Sequence, residues 1–577
     1  MAISEYVKGS IRKFAIKNAL DYGKADIGSV LGKVIPGAKD VPIKELKAAV
    51  QEAVASVNKL SKADLEVQYA PFEEEFEQRA RETAEKTAKP KFVIDGAEEG
   101  MVFTRYPPEP GGYMTLGNAK QCIISDELAR VYGGQIFLYF DDTNPEKCRQ
   151  EYVEGIKRDT AWLGIKFSRE YYASDYIEKE YDICRRLFDQ GNAYVCMCSS
   201  EEVKKNRFAK KECSHREQKP EANSSLFNDM LAGKFAEGQV LVRLKGDMAS
   251  ENTTLRDPAI FRIKEAAHYR QGNKYIVWPT YHINTPLIDN FNGITDVVRG
   301  KEYEIFDESY RLVLKYLGLK LPRMHYQAML QIKGGLTAHK RELRKLINDG
   351  SLSSWDDPRL LTVMAMRRRG LQPDAIRAFI LRFGMSRTDS TVPLEMLFAE
   401  NRKLIDPVAK HLFFVSDPVM VKVNGAGQAD VRLKLHPSRD YGFREYKTGS
   451  DFYISGQDAN GLEGVNKGSV RLKDLFDIRI RAVGDRIEAD KSVDNPDDKI
   501  IQWVPGADKV ACTILIPGPI FDDSGNFNAD SMGKVSGYAE GYARELKEHE
   551  IVQFERFGYC IFDKNEGERK QFIFISK

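Results

Sequence analysis

Cysteine is scarce in this chain, and no apolar run is long enough to cross a membrane. Eight cysteines in 577 residues do not indicate a disulfide framework, so we expect a reducing, cytoplasmic setting. The most apolar run, residues 510–521, falls far short of the roughly 18 residues that span a bilayer. Glu5 and Lys8 interrupt the first residues, so neither a secretory signal nor membrane attachment is expected.

An excess of charge of either sign is also missing. The formal net charge is +2, although 30% of the residues are charged and 42% are hydrophobic. These proportions are typical of a soluble globular protein and exclude a uniformly basic nucleic-acid binder, so any polyanion must meet a local patch. The length exceeds what one hydrophobic core supports, which predicts three to five domains.

The most informative stretch is residues 104–120, which read TRYPPEPGGYMTLGNAK. Its prolines and glycines exclude a helix up to Gly112, and helical apolar spacing begins after Thr115. A strand, a turn and a helix N-terminus in this order can bind phosphate through free backbone N–H groups and the helix dipole. Thr115 and Asn118 would add two hydrogen-bond donors. Alone, the pattern is equally typical of α/β proteins that bind no nucleotide.

The details of this stretch resemble the nucleotide-binding signature of class I aminoacyl-tRNA synthetases, in the form of the archaeal and eukaryotic glutamyl branch. Residues 105–110 match Arg-aromatic-Pro-Pro-Glu-Pro, and His-Ile-Gly-His-Ala-Lys stands here as residues 115–120. Both signature histidines are replaced, by Thr115 and Asn118, which can donate hydrogen bonds but carry no charge. The resemblance implies that ATP is bound by Pro110, Gly112, Thr115, Gly117, Asn118, Lys340 and Arg341, with Thr115, Asn118 and Lys340 catalytic.

A second nucleotide signature is expected at residues 336–343, which read LTAHKREL where the family has Met-Ser-Lys-Arg. Lys340 and Arg341 keep the two cations, and His339 replaces the serine. A mobile cation beside ATP stabilises the charge that develops on departing pyrophosphate. The alternative is an ordinary basic loop at a helix start.

Two acids follow the apolar strand expected at residues 135–140. Ligands of parallel sheets lie at the carboxyl ends of strands, so Asp141 and Asp142 are placed to hold an amine or a ribose. A capped turn is the alternative, because Asp, Asn and Pro are common turn residues. The resemblance implies that Asp141 lines the amino-acid pocket, although Tyr139 stands where the family usually has Arg.

Arg299 bears on the choice of amino acid. The family's glutamate-selective members carry Arg at this position, whereas glutamine-selective members carry a small uncharged residue. A planar guanidinium binds a γ-carboxylate through two hydrogen bonds and suits a neutral amide less well. The resemblance therefore implies an anion pocket with Arg105 and Arg299, although either arginine could be an ordinary ion-paired residue. The glutamate pocket is expected to consist of Arg105, Asp141, Tyr281 and Arg299.

Three of the eight cysteines lie within one short window. Cys196, Cys198, Cys213 and His215 form a set of three thiolates and one imidazole, which suits a closed tetrahedral zinc site. The charged residues between them cannot bury a core, so a metal there would be structural. The alternative is a chance cluster of free thiols. Some synthetases of this family carry such a zinc knuckle in the insertion that grips the tRNA acceptor end.

The expected fold is multidomain α/β plus all-β, around a Rossmann-like catalytic domain. The basic run at 367–369 predicts a tRNA-contacting patch or a solvated helix face. After about residue 411 the residue pattern repeats every two positions, which is typical of short strands and predicts one or two β-barrels. The expected parts are an N-terminal helical extension (1–90), the two catalytic halves (91–193 and 271–335), an inserted acceptor-end-binding domain (194–270), a second-signature and helical stem-contact region (336–405) and anticodon-binding barrels (406–577).

The implied activity is ATP-dependent ligation of glutamate to tRNA through glutamyl-adenylate, with Mg²⁺ and a candidate structural Zn²⁺. The expected partners are glutamate and a tRNA, contacted at its acceptor end and anticodon by a monomer. Charging of the glutamine tRNA with glutamate is left open. Two alternatives remain at this stage: a glutaminyl-tRNA synthetase of the same fold, and a tRNA-binding paralogue with a weakened ATP site.

Overall fold

The computed structural model describes residues 3–38, 41–76, 78, 92–333, 340–462, 469–493, 499–522 and 524–577. The chain divides into two compact units, residues 1–93 and 94–577, which we describe separately. Residues 336–339 of the second signature lie outside the described residues, as do residues 79–90 of the expected N-terminal extension. No helix within the described ranges is long and apolar enough to cross a membrane.

The first unit consists of helices packed around one core. Ser4 begins the first helix by accepting a hydrogen bond from the Val7 N–H, as N-cap serines do. Val7, Ile11 and Ala15, which recur at helical spacing, are buried in the core of the unit. The helices are α1 (Glu5–Tyr22), α2 (Ile27–Val34), α3 (Ile43–Val57) and α4 (Lys62–Tyr69).

The second unit alternates strands and helices up to residue 405. The strands are β1 (Phe103–Tyr106), β2 (Gln135–Phe140), β3 (Arg169–Tyr172), β4 (Ala193–Cys196), β5 (Leu241–Leu244), β6 (Ala259–Ile263), β7 (Val277–Pro279), β8 (Asp296–Gly300), β9 (Arg323–Gln327), β10 (Leu330–Ile332) and β11 (Ser390–Val392). The helices are α5 (Leu116–Val131), α6 (Gln150–Trp162), α7 (Ile177–Asp189), α8 (Ser200–Phe208), α9 (Pro220–Leu231), α10 (Tyr281–Phe291), α11 (Asp307–Leu317), α12 (Lys340–Asn348), α13 (Val363–Arg368), α14 (Pro373–Leu381) and α15 (Glu395–Ile405).

Parallel strands form the central layer of this region. β1, β2 and β3 are hydrogen-bonded in that order, and β8 pairs with β9. Thr295 joins the two sets, because its N–H donates to the Phe103 carbonyl at 3.0 Å. The carboxyl ends of all five strands therefore point to one edge, which is the usual ligand-binding edge of such a sheet.

A second, antiparallel sheet is inserted between β3 and β8. Its strand order is β4-β5-β6-β7, and its core includes Phe227, Phe261 and Trp278. β4 ends at Cys196, the first member of the cysteine cluster. The insertion thus places that cluster at the end of an ordered strand.

The basic run at 367–369 is largely buried at an interface within the second unit. The Arg368 guanidinium donates to both carboxylate oxygens of Asp563, each at 2.9 Å. Arg369 donates to the carbonyls of Phe574 and Ile575. Only Arg367 is exposed, so the predicted basic patch is wrong for two of its three residues, which instead fasten α13 to the C-terminal strands.

The C-terminal region consists of two seven-stranded sheets and one antiparallel pair of strands at residues 429–434 and 443–448. One has the order β12-β25-β26-β27-β23-β24-β13, and the other β21-β18-β19-β20-β14-β17-β22. The strands of the first sheet come from residues 410–416 and 509–576. The strands of the second sheet come from residues 419–505, which lie between these two segments in the sequence. The elements are β12 (Lys410–Leu412), β13 (Phe414–Ser416), β14 (Val419–Asn424), β15 (Ala429–Lys434), β16 (Phe443–Thr448), β17 (Asp451–Ile454), α16 (Gly456–Asn460), β18 (Ser469–Leu472), β19 (Asp477–Val483), β20 (Ile487–Ser492), β21 (Ile500–Ile501), β22 (Val504–Pro505), β23 (Lys509–Pro517), β24 (Met532–Glu540), β25 (Ile551–Phe554), β26 (Gly558–Glu566) and β27 (Arg569–Ser576).

Candidate functional site

A cavity of about 410 Å³ opens at the carboxyl ends of β1, β2 and β8. We call it the reaction cavity. Four of the residues predicted to bind ATP do not line it: Pro110, Thr115, Gly117 and Arg341. Seven of the residues predicted from the sequence do: Arg105, Gly112, Asn118, Asp141, Tyr281, Arg299 and Lys340.

Arg105 is held in the cavity wall by a buried carboxylate. Its Nε donates to Asp289 Oδ1 at 2.9 Å, its Nη2 to Oδ2 at 3.3 Å, and its Nη1 to the Val298 carbonyl at 3.1 Å. Burial acts to lower the pKa of Arg105, but the Asp289 carboxylate outweighs burial and raises it. Arg105 is therefore charged and already neutralised, and it does not add a free positive charge to the pocket.

Arg299 is also ion-paired but keeps an unused donor. Its Nη1 donates to the Tyr281 hydroxyl at 3.1 Å, and its Nη2 contacts the Asp307 carboxylate, which also accepts from the Tyr326 hydroxyl. Arg299 is 3% exposed, and its Nε has no hydrogen-bond partner in the part of the chain that the structure describes. A buried donor without a partner is costly, so Arg299 is suited to an incoming acceptor such as a carboxylate.

Asp141 follows β2 and presents a carboxylate to the reaction cavity. Thr143 Oγ1 donates to its Oδ1 at 3.0 Å, and Asn284 Nδ2 lies 3.4 Å from the same atom. Burial, with the nearby Glu109 and Asp142 carboxylates, raises the pKa of Asp141 to about 6. A bound ammonium group would favour the ionised form.

Asp142 has a structural role instead. It is fully buried, and both its oxygens are used by Ser174, whose N–H and hydroxyl each donate at 2.8 Å. Tyr269 adds a third hydrogen bond, at 3.0 Å. Of the two acids after β2, only Asp141 is therefore available to a ligand.

Thr115 and Asn118 cap the N-terminus of α5. Thr115 Oγ1 and N–H both donate to Asn118 Oδ1, at 3.1 and 3.2 Å, and the Asn118 N–H donates back to Thr115 Oγ1 at 3.5 Å. The Leu116 N–H is bound to the Leu361 carbonyl at 2.9 Å. The helix end is therefore less open than the sequence predicts, and the Asn118 amide nitrogen is the side-chain donor that remains for a phosphate.

A second cavity of about 330 Å³ adjoins this helix end. Thr115, Gly117 and Lys120 line it, and Asn118 lines both cavities. The Lys120 ammonium donates to the Ala328 carbonyl at 2.5 Å, and burial lowers its pKa. The signature residues thus border two neighbouring spaces, not one.

Lys340 reaches the reaction cavity from the first residue of α12. Its Nζ donates to the Gly112 carbonyl at 3.3 Å, and burial lowers its pKa. A Cβ on Gly112 would lie only 2.9 Å from Lys340 Cδ. Gly112 therefore makes the close approach of this lysine possible.

Arg341, in contrast, is exposed on α12 and lies outside both cavities. Arg344, one turn beyond Lys340, donates to the Gly111 carbonyl at 2.8 Å. Residues four apart share a helix face. The spacing between Lys340 and Arg344 was therefore the feature of the sequence that could have predicted a contact of Arg344 with the loop. Pro110 supports the loop through its carbonyl, which accepts the Arg149 N–H at 3.0 Å.

The predicted metal ligands lie together in the inserted region. Cys213 Sγ is 3.6 Å from Cys196 Sγ, 3.4 Å from Cys198 Sγ and 3.1 Å from His215 Nδ1. All four ligand atoms lie within 4.8 Å of one another. Ligands at about 2.0–2.3 Å around a tetrahedral zinc have similar mutual separations, so the donor set and its spacing fit this ion.

A groove of about 760 Å³ lies between the two C-terminal sheets. Arg432 in its wall is stacked over the Phe443 ring at 3.8 Å. Arg444 is buried in the wall by its ion pair with Glu540 at 2.7 Å. Lys434, Lys473 and Arg556 add further cations to the lining, and Asp474 and Glu555 add two acids. Most of these cations are ion-paired: Arg432 with Glu445, Lys473 with Glu555 and Arg556 with Asp458. The sequence alone had singled out none of them.

Family comparisons agree with this architecture. Residues 101–407 match the catalytic domain of the class I tRNA synthetases (E and Q). Residues 409–494 and 500–563 match two anticodon-binding domains of the same synthetases.

Full-length relatives are similar over nearly the whole chain. A glutamate–tRNA ligase of Nitrosopumilus maritimus is 36% identical over 100% of both chains. That of Cenarchaeum symbiosum is 37% identical over 96% of this chain and 97% of its own, and that of Pyrococcus furiosus is 36% identical over 98% and 99%. The chain belongs to the class I glutamyl- and glutaminyl-tRNA synthetase family.

Proposed function

We propose that this chain joins glutamate to tRNA in an ATP-dependent reaction. The observation that carries the proposal is that Arg299 and Asp141 line the same cavity. A guanidinium with a free buried donor suits the γ-carboxylate of glutamate, and a carboxylate suits its ammonium group. Glutamine would offer a neutral amide to Arg299, which is the poorer partner.

In the first step, a carboxylate oxygen of the glutamate α-carboxyl group attacks the α-phosphorus of ATP. The bond from that phosphorus to the bridging oxygen breaks, and pyrophosphate leaves with the electron pair. Lys340 and the Asn118 amide are placed to stabilise the charge on the phosphates. The product is glutamyl-adenylate, and no protein nucleophile is needed.

ATP is proposed to occupy the two cavities that Asn118 borders. Mg²⁺ bound with the nucleotide would neutralise phosphate charge. Because Asp141 is assigned to the ammonium group of glutamate, Glu109 is the lining carboxylate of the reaction cavity that would meet this ion. Removing one charged hydrogen bond costs about 1.5–3 kcal/mol, so replacing the signature histidines slows such an enzyme without abolishing its activity.

In the second step, a hydroxyl oxygen of the terminal tRNA ribose attacks the carbonyl carbon of the adenylate. The bond to the phosphate oxygen breaks, AMP leaves, and the ribose proton passes to the released phosphate or to water. Catalysis consists of positioning and charge stabilisation.

The Cys196, Cys198, Cys213 and His215 cluster is proposed to hold a structural Zn²⁺. The ion would tie the end of β4 to the loop before α9, in an inserted region whose intervening helix is highly charged. A closed set of four protein ligands leaves no open position for chemistry.

The cationic groove between the C-terminal sheets is proposed to take an anticodon base. Lys434 in its lining suits a phosphate of a single strand, and Arg432, stacked on the Phe443 ring, offers a flat face to a base. This assignment follows from charge and shape and extends the family match of these residues.

The proposal is tested by charging purified tRNA with radiolabelled glutamate or glutamine in the presence of ATP and Mg²⁺. We expect base-labile glutamate on tRNA and no glutamine above background. Charging with glutamine would assign the sister activity, and tight tRNA binding without charging would assign the paralogue.

A further inference from the structure

A turn between β6 and β7 contacts the loop that carries Asp141. The His268 N–H donates to the Gly272 carbonyl at 2.9 Å, and the Gly272 N–H donates back to the His268 carbonyl at 2.8 Å. We call this closed segment the 268–272 turn. The side chains of its first four residues, which read HYRQ, all reach the segments that follow β2 and β3.

His268 is buried, and its partners determine which ring nitrogen carries the proton. Its Nδ1 accepts the N–H groups of Arg270 and Gln271, at 3.3 and 3.1 Å. The Nε2 therefore carries the proton and donates to the Asp142 carbonyl at 2.9 Å. Burial lowers the pKa of His268 to about 4, so the imidazole is neutral near pH 7. His268 thus acts as a hydrogen-bond donor with a fixed direction and not as a cation.

The same turn also holds the side chain of Asp142. The Tyr269 hydroxyl donates to Asp142 Oδ2 at 3.0 Å. Arg270 donates to the Ser174 hydroxyl at 3.2 Å, and that hydroxyl donates to Asp142 Oδ2 at 2.8 Å. The Arg270 guanidinium lies 3.7 Å from the centroid of the Tyr172 ring. Asp142 is therefore fixed through both its main chain and its side chain.

Asp141 lies between this turn and the first signature. Its N–H donates to the Pro108 carbonyl at 3.1 Å, and its carboxylate accepts a hydrogen bond from Thr143 Oγ1 at 3.0 Å. The peptide group that His268 binds joins Asp142 to Thr143. Its orientation therefore determines where Thr143 lies and, through that hydroxyl, how the Asp141 carboxylate is turned.

We infer that His268 is a positioning residue of the amino-acid site, which holds the Asp141 carboxylate in the place where it meets the ammonium group of glutamate. This inference rests on the proposed function, because that function gives Asp141 its ligand. The residues that line the reaction cavity include none from the 268–272 turn. The inserted region therefore acts on the amino acid through Asp142 and not by contact.

Two substitutions of His268 separate the roles of its ring nitrogens. The amide oxygen of asparagine can replace Nδ1, whereas the amide nitrogen of glutamine can replace the Nε2 donor. His268→Asn therefore keeps an acceptor for the turn and loses the donor to Asp142. Because one hydrogen bond is lost, we expect the KM for glutamate to rise about two- to tenfold. The KM for ATP should not change, and His268→Gln should behave as the wild type.

A double substitution tests whether the effect passes through Asp141. If His268 acts by placing that carboxylate, His268→Asn should raise the KM for glutamate no further in an Asp141→Asn background. A merely structural role of the turn would give the same additional loss in both backgrounds.

Tyr269→Phe provides a second test that removes only one oxygen atom. The loss of its hydrogen bond to Asp142 should raise the KM for glutamate about two- to tenfold. Tyr316→Phe is the matched control, because its hydroxyl donates to the Lys245 carbonyl at 2.8 Å and does not contact the Asp142 loop. It should leave the KM for glutamate unchanged. If His268→Asn does not fold, this pair of variants decides.

The inference is overturned if His268→Asn and Tyr269→Phe leave the KM for glutamate unchanged, or raise the KM values for glutamate and ATP equally. An undiminished effect in the Asp141→Asn background would overturn it as well. Charging of tRNA by the wild type separates these failures from that of the proposed function. If the wild type charges tRNA with glutamate and the variants do not differ from it, only the positioning role is wrong. A wild type that charges no tRNA with glutamate would overturn both.

Discussion

Arg105 and Asp289, which are 184 residues apart, form a buried two-point ion pair beside the reaction cavity. The pair joins β1 to α10, and the Tyr310 hydroxyl donates to the same carboxylate at 3.0 Å. The arginine nearest the nucleotide signature thus serves first to fix the cavity wall.

Breaking this pair should destabilise the second unit. Asp289→Ala would leave a buried guanidinium without its counter-ion, a change that costs about 3–5 kcal/mol. We expect a clearly lower melting temperature by scanning calorimetry. Asp182→Ala, which removes a mostly exposed partner of Arg185, should cost no more than about 1 kcal/mol. Equal effects of the two variants would contradict the structural role of the buried pair.

Arg299 should control the affinity for glutamate. Arg299→Ala removes charge-assisted hydrogen bonds worth about 1.5–3 kcal/mol, so the KM for glutamate should rise roughly tenfold to hundredfold. Binding of tRNA, measured separately as a Kd, should stay within twofold. An unchanged KM for glutamate would show that another group holds the γ-carboxylate.

Asp141 should link stability and substrate binding to pH. Its folded-state pKa, about 6, lies above the usual value of about 3.9. The folded chain therefore binds the extra proton between these values, so the free energy of unfolding falls as the pH rises from about 3.9 to about 6, and the full cost of Asp141 is present above about 6. Asp141→Asn should raise the melting temperature at pH 7.5 but not at pH 4, while it weakens glutamate binding. In the wild type, the KM for glutamate should rise as the pH falls below 6.

Gly112 should be needed for the position of Lys340. An alanine there would place its Cβ 2.9 Å from Lys340 Cδ, which displaces the lysine but leaves the fold intact. Gly112→Ala should lower ATP–pyrophosphate exchange roughly tenfold to hundredfold, because small displacements of a catalytic group are costly. Gly111→Ala, whose Cβ would meet its nearest neighbour at 3.5 Å, is the control, and a similar loss in it would contradict the role given to Gly112.

Cys213 should be needed for metal binding, because it lies nearest to the other three ligands. Plasma emission spectrometry should find one zinc per wild-type chain and little in Cys213→Ser. Cys512→Ser changes a buried thiol outside the cluster and should retain the metal. A wild-type chain purified with zinc present but without bound zinc would contradict the assignment.

Local pattern was enough to predict the strand at residues 135–140, the helix that follows Thr115 and the position of the main signature. Some residues of the reaction cavity lie in the loop after β1, and others lie at the end of β2. These are the usual positions of ligand-binding residues in a strand–loop–helix unit. Asp141 follows a strand, and Asn118 lies in the first turn of a helix. Such positions are determined by nearby residues, so one sequence suffices to find them.

The sequence alone could not predict contacts between residues that lie far apart in the chain. The counter-ion Asp289 lies 184 residues from Arg105 and meets it only after folding, so nothing in the local pattern marks it. The same holds for Arg368, whose partner Asp563 lies 195 residues away. The mutual capping of Thr115 and Asn118 was within reach of local reasoning, because both lie three residues apart at a helix start.

The most direct test of the proposed reaction is tRNA-dependent ATP–pyrophosphate exchange, measured with glutamate and with glutamine as separate substrates. We expect exchange with glutamate in the presence of tRNA and none with glutamine. Exchange with glutamine at a comparable rate would contradict the role given to Arg299. No exchange with either amino acid, despite tight tRNA binding, would contradict the proposed catalytic activity itself.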